Sequence, residues 1–276
     1  MIAKIIDGKT IEVYDLTQFD ADAIMHSGQV FRYFKTDTGY LLIAGKNMAE
    51  IAVKDNKVII KSNDSAYFYN YFDLDTDYTE IKNSLLDFEK LKPAITAGGG
   101  IRILRAEFIE TVISFIISAN NNIKRFTKTL NLLAEQYGDK LYNGYYAFPT
   151  IRQLETAAEE DFKKAGCGYR SPYLVKTVRQ LGGFNTDELS LLDDKSILKE
   201  LMRLPGIGQK VASCIGLFSS VLPNKMRFRV CPIDVHIRKA IEQLGSISAD
   251  EIINHRYAGI AQQYIFYYLQ HLHKEL

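Results

Sequence analysis

Apolar and polar residues alternate with a period of two through much of the first sixty positions, which predicts strands at residues 2–6, 10–14, 29–34, 40–44, 51–54 and 58–61. Asp7-Gly8 and Asp55-Asn56 lie between runs and tolerate the positive φ that tight hairpins need, so an antiparallel meander is expected. From about Tyr78 the period lengthens to that of a helix. Residues 81–91 are amphipathic, Pro93 and Gly98-Gly99-Gly100 break the chain, and 105–119 reads as an apolar helix. Further helices are predicted at 124–137, 150–164, 172–181, 196–204, 210–221, 234–244 and 249–272. The expected fold class is α+β, with an antiparallel β-rich domain over residues 1–97 and an all-helical domain over 98–276.

Composition adds little by itself: 276 residues, 47% hydrophobic and 24% charged, suit an ordinary globular chain. The net charge of +1 hides an uneven distribution. Residues 195–239 hold nine Lys and Arg against two acids, whereas 64–89 hold seven acids and one lysine. A positive field concentrated in one stretch is what a nucleic-acid partner requires. No signal-like segment is seen and no run approaches the ~18 apolar residues of a membrane span, so an intracellular, cytoplasmic and nucleoid-associated chain with no membrane partner is expected. Cys167, Cys214 and Cys231 are too few and too widely spaced for a disulfide framework or a four-thiolate iron–sulfur cluster.

The basic stretch contains Leu204-Pro205-Gly206-Ile207-Gly208-Gln209-Lys210 between two predicted helices. Pro205 stops the first, while Gly206 and Gly208 are expected to allow positive φ and close backbone approach. A hairpin of this kind, over about 196–221, aims backbone N–H groups at a DNA phosphate. An ordinary glycine-containing helix–turn–helix has the same outline, but Lys210 and, 24 residues later, Asp234 add chemistry to it. Lys210 is either a solvated surface lysine or a nucleophile whose amine is made less basic by the helix dipole and nearby cations. Asp234, in Pro232-Ile233-Asp234-Val235-His236, reads as a helix N-cap. A carboxylate held that rigidly also suits stabilising positive charge on a deoxyribose C1′. His236 is either a helix-terminus histidine or a phosphate contact.

The hairpin, the lysine and the aspartate resemble the 8-oxoguanine DNA glycosylases of the helix–hairpin–helix superfamily. Ser27-Gly28-Gln29-Val30-Phe31-Arg32, Tyr71-Phe72-Asp73-Leu74-Asp75, Asn120-Asn121-Asn122-Ile123, Gly168-Tyr169-Arg170 and Tyr257-Ala258-Gly259-Ile260-Ala261-Gln262, with Phe266 beyond, extend the resemblance over nearly the whole chain. Taken alone, Gly28 is a turn glycine, Phe266 a core residue, Cys214 packing, Asn120 a C-cap, and Arg125 and Arg170 solvated cations. The resemblance implies that the Gly28 carbonyl meets the N7–H of 8-oxoguanine and that Gln262 reads the flipped base's pairing edge. Phe266 and Cys214 are then the two walls of its pocket. It also implies that Asn120 fills the gap left by the flipped nucleotide, with Arg125, Tyr169 and Arg170 around the orphaned cytosine. Gly206, Gly208 and His236 are the implied backbone grip.

The implied activity is that of a bifunctional glycosylase and AP lyase, excising 8-oxoguanine opposite cytosine from double-stranded DNA as a monomer of bacterial or archaeal type. No cofactor is required by that chemistry. A monovalent or calcium ion bridging hairpin carbonyls to phosphate is implied by the superfamily and by no carboxylate cage in the sequence. Two other readings stand beside it: a relative acting on another lesion, and a non-catalytic DNA-binding module. Lys210 and Asp234 together argue against the latter, since phosphate grip alone needs neither.

Overall fold

The computed structural model describes residues 2–189, 191–233, 237, 238, 241 and 249–272. Two compact units emerge, interleaved in sequence. Residues up to 42, 48–105 and from 224 onward form the first; 43–47 and 106–223 form the second. The packing therefore divides the chain differently from a contiguous boundary after residue 97, because the segment from 224 onward packs with the N-terminal half.

The first unit is built on an antiparallel sheet of six strands, β1 (Ala3–Asp7), β2 (Thr10–Val13), β3 (Tyr33–Lys35), β4 (Gly39–Ala44), β5 (Asn47–Lys54) and β6 (Lys57–Ser62). Their order is β1-β2-β6-β5-β4-β3. Ile11 and Val13 of β2 and Val58 and Ile60 of β6 are buried while their neighbours are not, which is the alternation that predicted these strands. Asp55 and Asn56 both take positive φ, 51° and 57°, and pin the β5–β6 hairpin. The Asp7-Gly8 turn closes without positive φ at either residue.

Three departures from the sequence pattern lie in this unit. Only residues 33 and 34 of the predicted 29–34 strand lie in β3, because a helix, α1 (Ala21–His26), precedes it and residues 27–29 form its exit turn. A second short helix, α2 (Ser65–Tyr71), leads into the Tyr71-Phe72-Asp73 motif. Both begin at aspartate caps, Asp20 accepting from Ala23 N and Asp64 from Tyr67 N. After α3 (Tyr78–Leu85), Pro93 does not break the chain but sits in the first turn of α4 (Lys92–Gly98), where its missing N–H costs nothing.

The second unit is helical. At its centre α5 (Phe108–Ser118) buries Phe108, Thr111 and every residue from Val112 to Ile117. Phe115 stacks on Phe218 at 5.6 Å and Phe108 on Phe184 at 5.7 Å. Around it run α6 (Ile123–Tyr137), α7 (Ile151–Leu154), α8 (Glu159–Lys164), α9 (Ser171–Leu181), α10 (Thr186–Leu189), α11 (Asp194–Leu201) and α12 (Gln209–Phe218). The single helix expected over 150–164 is two, each with its own start. Thr150 and Gln153 form a capping box at the first, and Asp161 reaches back to Ala158 N at the second.

From 224 the chain rejoins the first unit with α13 (Asn224–Arg227), α14 (Ala249–Ile253) and α15 (Ala258–Leu272). The helix expected over 249–272 is thus broken at 254–257, and α15 packs along α4. The helix expected at 234–244 falls largely outside the described residues. No helix among the described residues is long and apolar enough to cross a membrane.

Candidate active site

The hairpin of the second unit is formed as its glycines suggest, with one difference. Gly206 has φ +82°, and a Cβ there would stand 3.0 Å from the Tyr173 Cβ, so only glycine fits without strain. Gly208 is instead extended, at φ −92° and ψ 179°, and serves as the N-cap of α12. Open space surrounds its missing side chain, no side chain caps the first turn of α12, and Gly208, Gln209 and Lys210 are all exposed. Thr177 of α9 is fully buried and donates Oγ1 to the Pro205 carbonyl at 2.7 Å, tying the hairpin down from a neighbouring helix.

Lys210 is exposed in the first turn of α12, immediately behind this turn. Cys214, one helical turn on, is buried. Asp234 and His236 lie outside the described residues.

Asn120, Tyr169 and Arg170 come together in the same unit, at the end of α5. Asn120 is exposed with φ +49°, a left-handed conformation that Asn tolerates better than most residues. Arg170 is only 6% exposed. Its Nε donates to the Ala119 carbonyl at 2.9 Å, and Nη2 donates to both the Ala119 carbonyl and, at 2.9 Å, the Asn120 carbonyl. Hydrogen bonds from a charged donor are worth about 1.5–3 kcal/mol each. The guanidinium also sits at the C-terminal, negative end of α5. Tyr169 lies over it, with 4.3 Å from guanidinium carbon to ring centre, and stays 60% exposed. Arg125 is exposed in the first turn of α6, a helix capped by Asn122 accepting from Lys124 N. The two arginines, alike in sequence, thus occupy opposite environments.

The remaining base-pocket residues belong to the first unit. Gly28 takes φ +78°, and a Cβ on it would lie 3.0 Å from Phe266 Cε1, so turn and ring are in direct apposition. Gln29 locks this turn. Its Nε2 donates to Ser27 Oγ and to the Arg102 carbonyl, both at 2.8 Å, while its Oε1 accepts from Leu104 N at 2.9 Å. On α15, Gln262 and Phe266 share a face one turn apart. Gln262 is buried and its Oε1 accepts from Gln263 Nε2 at 3.1 Å. Gly28, Gln262 and Phe266 are thereby collected from opposite ends of the chain.

Residues 113–259 match the model of the HhH-GPD superfamily of base excision DNA repair proteins, and residues 13–112 match the N-terminal domain of 8-oxoguanine DNA glycosylase. The chain belongs to the HhH-GPD superfamily. The chain is 37% identical over 147 residues to N-glycosylase/DNA lyase OGG1 of Arabidopsis thaliana, covering 50% of this chain and 39% of that protein. It is 34% identical over 182 residues to N-glycosylase/DNA lyase of Saccharomyces cerevisiae, covering 59% and 46%. It therefore spans less than half the length of these two relatives. Among solved structures, 8-oxoguanine glycosylase/lyase of Clostridium acetobutylicum, bound to double-stranded DNA with cytosine opposite 8-oxoguanine, superposes with a TM-score of 0.88 at 34% identity. That match covers 99% of this chain and 100% of that one.

Within this HhH-GPD frame, the residues that sequence reasoning missed are the ones that hold the others. Gln29 was visible only as part of a motif and Thr177 not at all, because a hydrogen bond to a distant carbonyl leaves no local signal. Asp73, also motif-borne, proves to be a fully buried carboxylate. It pairs with Arg105 and accepts from Tyr78 Oη at 3.0 Å and Asn224 Nδ2 at 2.7 Å. Arg102, fully buried beside it, spends its guanidinium on the carbonyls of Gln18, Phe72, Asp73 and Thr76. Arg227, counted with the basic stretch in the sequence, is buried against the same carboxylate at 3.8 Å.

Proposed function

We propose that this chain excises 8-oxoguanine paired with cytosine from double-stranded DNA and nicks the resulting abasic site. The observation that carries the reading is the exposed Lys210 at the start of α12, directly behind a glycine turn that is itself exposed at Gly206 and Gly208. The hairpin grips phosphate and the amine meets the sugar beside it. In its neutral form Lys210 Nζ attacks C1′ as the C1′–N9 bond breaks, and the electron pair leaves with the base, which takes up a proton. Ring opening then gives an imine between Nζ and C1′. That imine acidifies the C2′ proton, whose loss expels the 3′ phosphate. Asp234 is assigned the stabilisation of positive charge at C1′.

The Gly28 turn, locked by Gln29 and facing Phe266, supports recognition of the oxidised base: a fixed carbonyl accepts from the N7–H that guanine lacks. Gln262, one turn before Phe266 on α15, completes the proposed pocket within the first unit. Exposed Arg125 suits the orphaned cytosine, whose N3 and O2 are acceptors. No group of three or more His, Cys, Asp and Glu suited to a metal occurs among the described residues. A cation at the hairpin would therefore be held by backbone carbonyls and phosphate oxygens, a donor set that fits a monovalent or calcium ion.

Borohydride trapping on an 8-oxoguanine duplex tests the reading. Wild type should give a covalent adduct and Lys210→Gln none, with lesion binding retained. An adduct formed by Lys210→Gln at the parental rate would overturn the assignment.

A further inference from the structure

The resemblance places Arg170 against the orphaned base, yet the structure buries it and spends its guanidinium on the main chain. We propose that Arg170 is a positioning residue that holds Asn120 in its left-handed conformation, so that the Asn120 side chain is presented for insertion into the duplex. The inference rests on the proposed glycosylase function and concerns how its gap-filling residue is kept ready.

Three observations carry it. The guanidinium bridges consecutive carbonyls, those of Ala119 and Asn120, and thereby fixes the peptide on each side of the Asn120 Cα. Asn120 has φ +49°, a left-handed conformation that costs an L residue energy, less for Asn than for most, and the two bonded carbonyls fix it on both sides. Asn121 and Asn122 then continue the anchoring, Asn121 Nδ2 donating to the Ile117 carbonyl at 3.1 Å and Asn122 capping α6. Asn120 is the exposed residue between a clamped carbonyl pair and a capped helix. A planar fork is needed for this task, because a single ammonium cannot hold two carbonyls in fixed register. Tyr169 lies over one face of the guanidinium.

A base-reading arginine and a positioning arginine make different predictions about the opposite base and about Asn120. The test uses the full chain with Arg170→Lys, Asn120→Ala and the double variant, on duplexes carrying 8-oxoguanine opposite C, T, G and A. Stopped-flow fluorescence of 2-aminopurine beside the lesion follows unstacking, and single-turnover excision follows chemistry. Arg170→Lys should slow unstacking and excision about tenfold for all four opposite bases alike, leaving the preference for C at its parental ratio. In the Asn120→Ala background the same change should cost less than about twofold. A loss confined to C, or a loss of equal size in both backgrounds, overturns the proposal while the glycosylase reading stands. If Asn120→Ala unstacks and excises as the parent does, Asn120 is not the gap-filling residue and the proposal falls with it. If no variant, nor the parent, excises 8-oxoguanine, it is the proposed function that has failed. Should Arg170→Lys melt well below the parent, Arg170→Gln, which keeps a planar donor able to reach one carbonyl, replaces it under the same criteria.

Discussion

Single residues at the Gly28 turn carry roles that burial alone would not reveal. Gly28→Ala combines a left-handed φ, costing roughly 1–2 kcal/mol, with a Cβ 3.0 Å from the Phe266 ring. It should weaken binding to 8-oxoguanine duplex far more than to the guanine duplex, as competition binding would report. Gln29→Leu keeps the volume but leaves Leu104 N and the Arg102 carbonyl without their partner. Its cost in urea unfolding should be about 1–3 kcal/mol for each buried group left unpaired. The ratio of lesion to undamaged affinity should fall as well, because the Gly28 carbonyl is no longer held. Unchanged selectivity in Gln29→Leu would show that the turn is fixed by the sheet and α1 alone.

At the scale of elements, the α11–α12 hairpin depends on neighbours as much as on its own glycines. Gly206→Ala meets both φ +82° and the Tyr173 Cβ, and should lower affinity for damaged and undamaged duplex by the same factor, since phosphate grip carries no sequence information. Thr177→Val leaves the Pro205 carbonyl unpaired and should mimic it more weakly, with about 1–3 kcal/mol lost in unfolding. The first helix of the pair is sensitive to acid. Asp193 caps α11, and the hydrogen bond from Ser196 N holds its carboxyl below the ordinary 3.8. A depressed folded pKa means that the cap's contribution is complete above 3.8 and is lost as pH falls below it. Asp193→Asn caps without titrating, so its melting temperature should fall less steeply than the parent's over that acid range. Parallel acid limbs for the two proteins would place the acid sensitivity elsewhere.

Across the whole molecule, the described residues hold a buried electrostatic knot around Asp73, where residues 73–78, 102–105 and 224–227 meet within one compact unit. Breaking a buried pair by removing one partner leaves the other charge uncompensated, at about 3–5 kcal/mol. Asp73→Ala should cost that much in denaturant unfolding and detach the segment after 224 first, seen as early loss of amide exchange protection in 224–227. Arg227 illustrates the same point in titration. Burial pulls it down to about 10, yet it remains charged at neutral pH. Its positive charge is spent on the buried Asp73 carboxylate.

Periodicity and turn chemistry were legible because they are set by neighbours in sequence. The alternation of β2 and β6, the φ-tolerant Asp55-Asn56 pair, the capped amphipathic helices and the Pro-Gly-x-Gly hairpin all follow from side chains within a few positions of one another. The residues of the proposed chemistry, Lys210 and the Gly28, Gln262 and Phe266 set, were legible through motifs. Helices α1 and α2 were not, since six or seven residues hold too few turns for a helical period to stand out against an aspartate cap that also reads as a turn. Pro93 was ambiguous for a related reason, as proline both ends helices and begins them. What only the tertiary structure decided is the fate of charge. Arg125 and Arg170, and likewise Arg227 and its basic neighbours, look alike in sequence. Whether a guanidinium faces water, clamps two carbonyls or pairs with a buried carboxylate depends on groups 50 to 154 positions away, brought to it by the fold. The interleaving of the two units has the same origin: the segment from 224 onward packs with residues far from it in sequence, through contacts that no local pattern encodes.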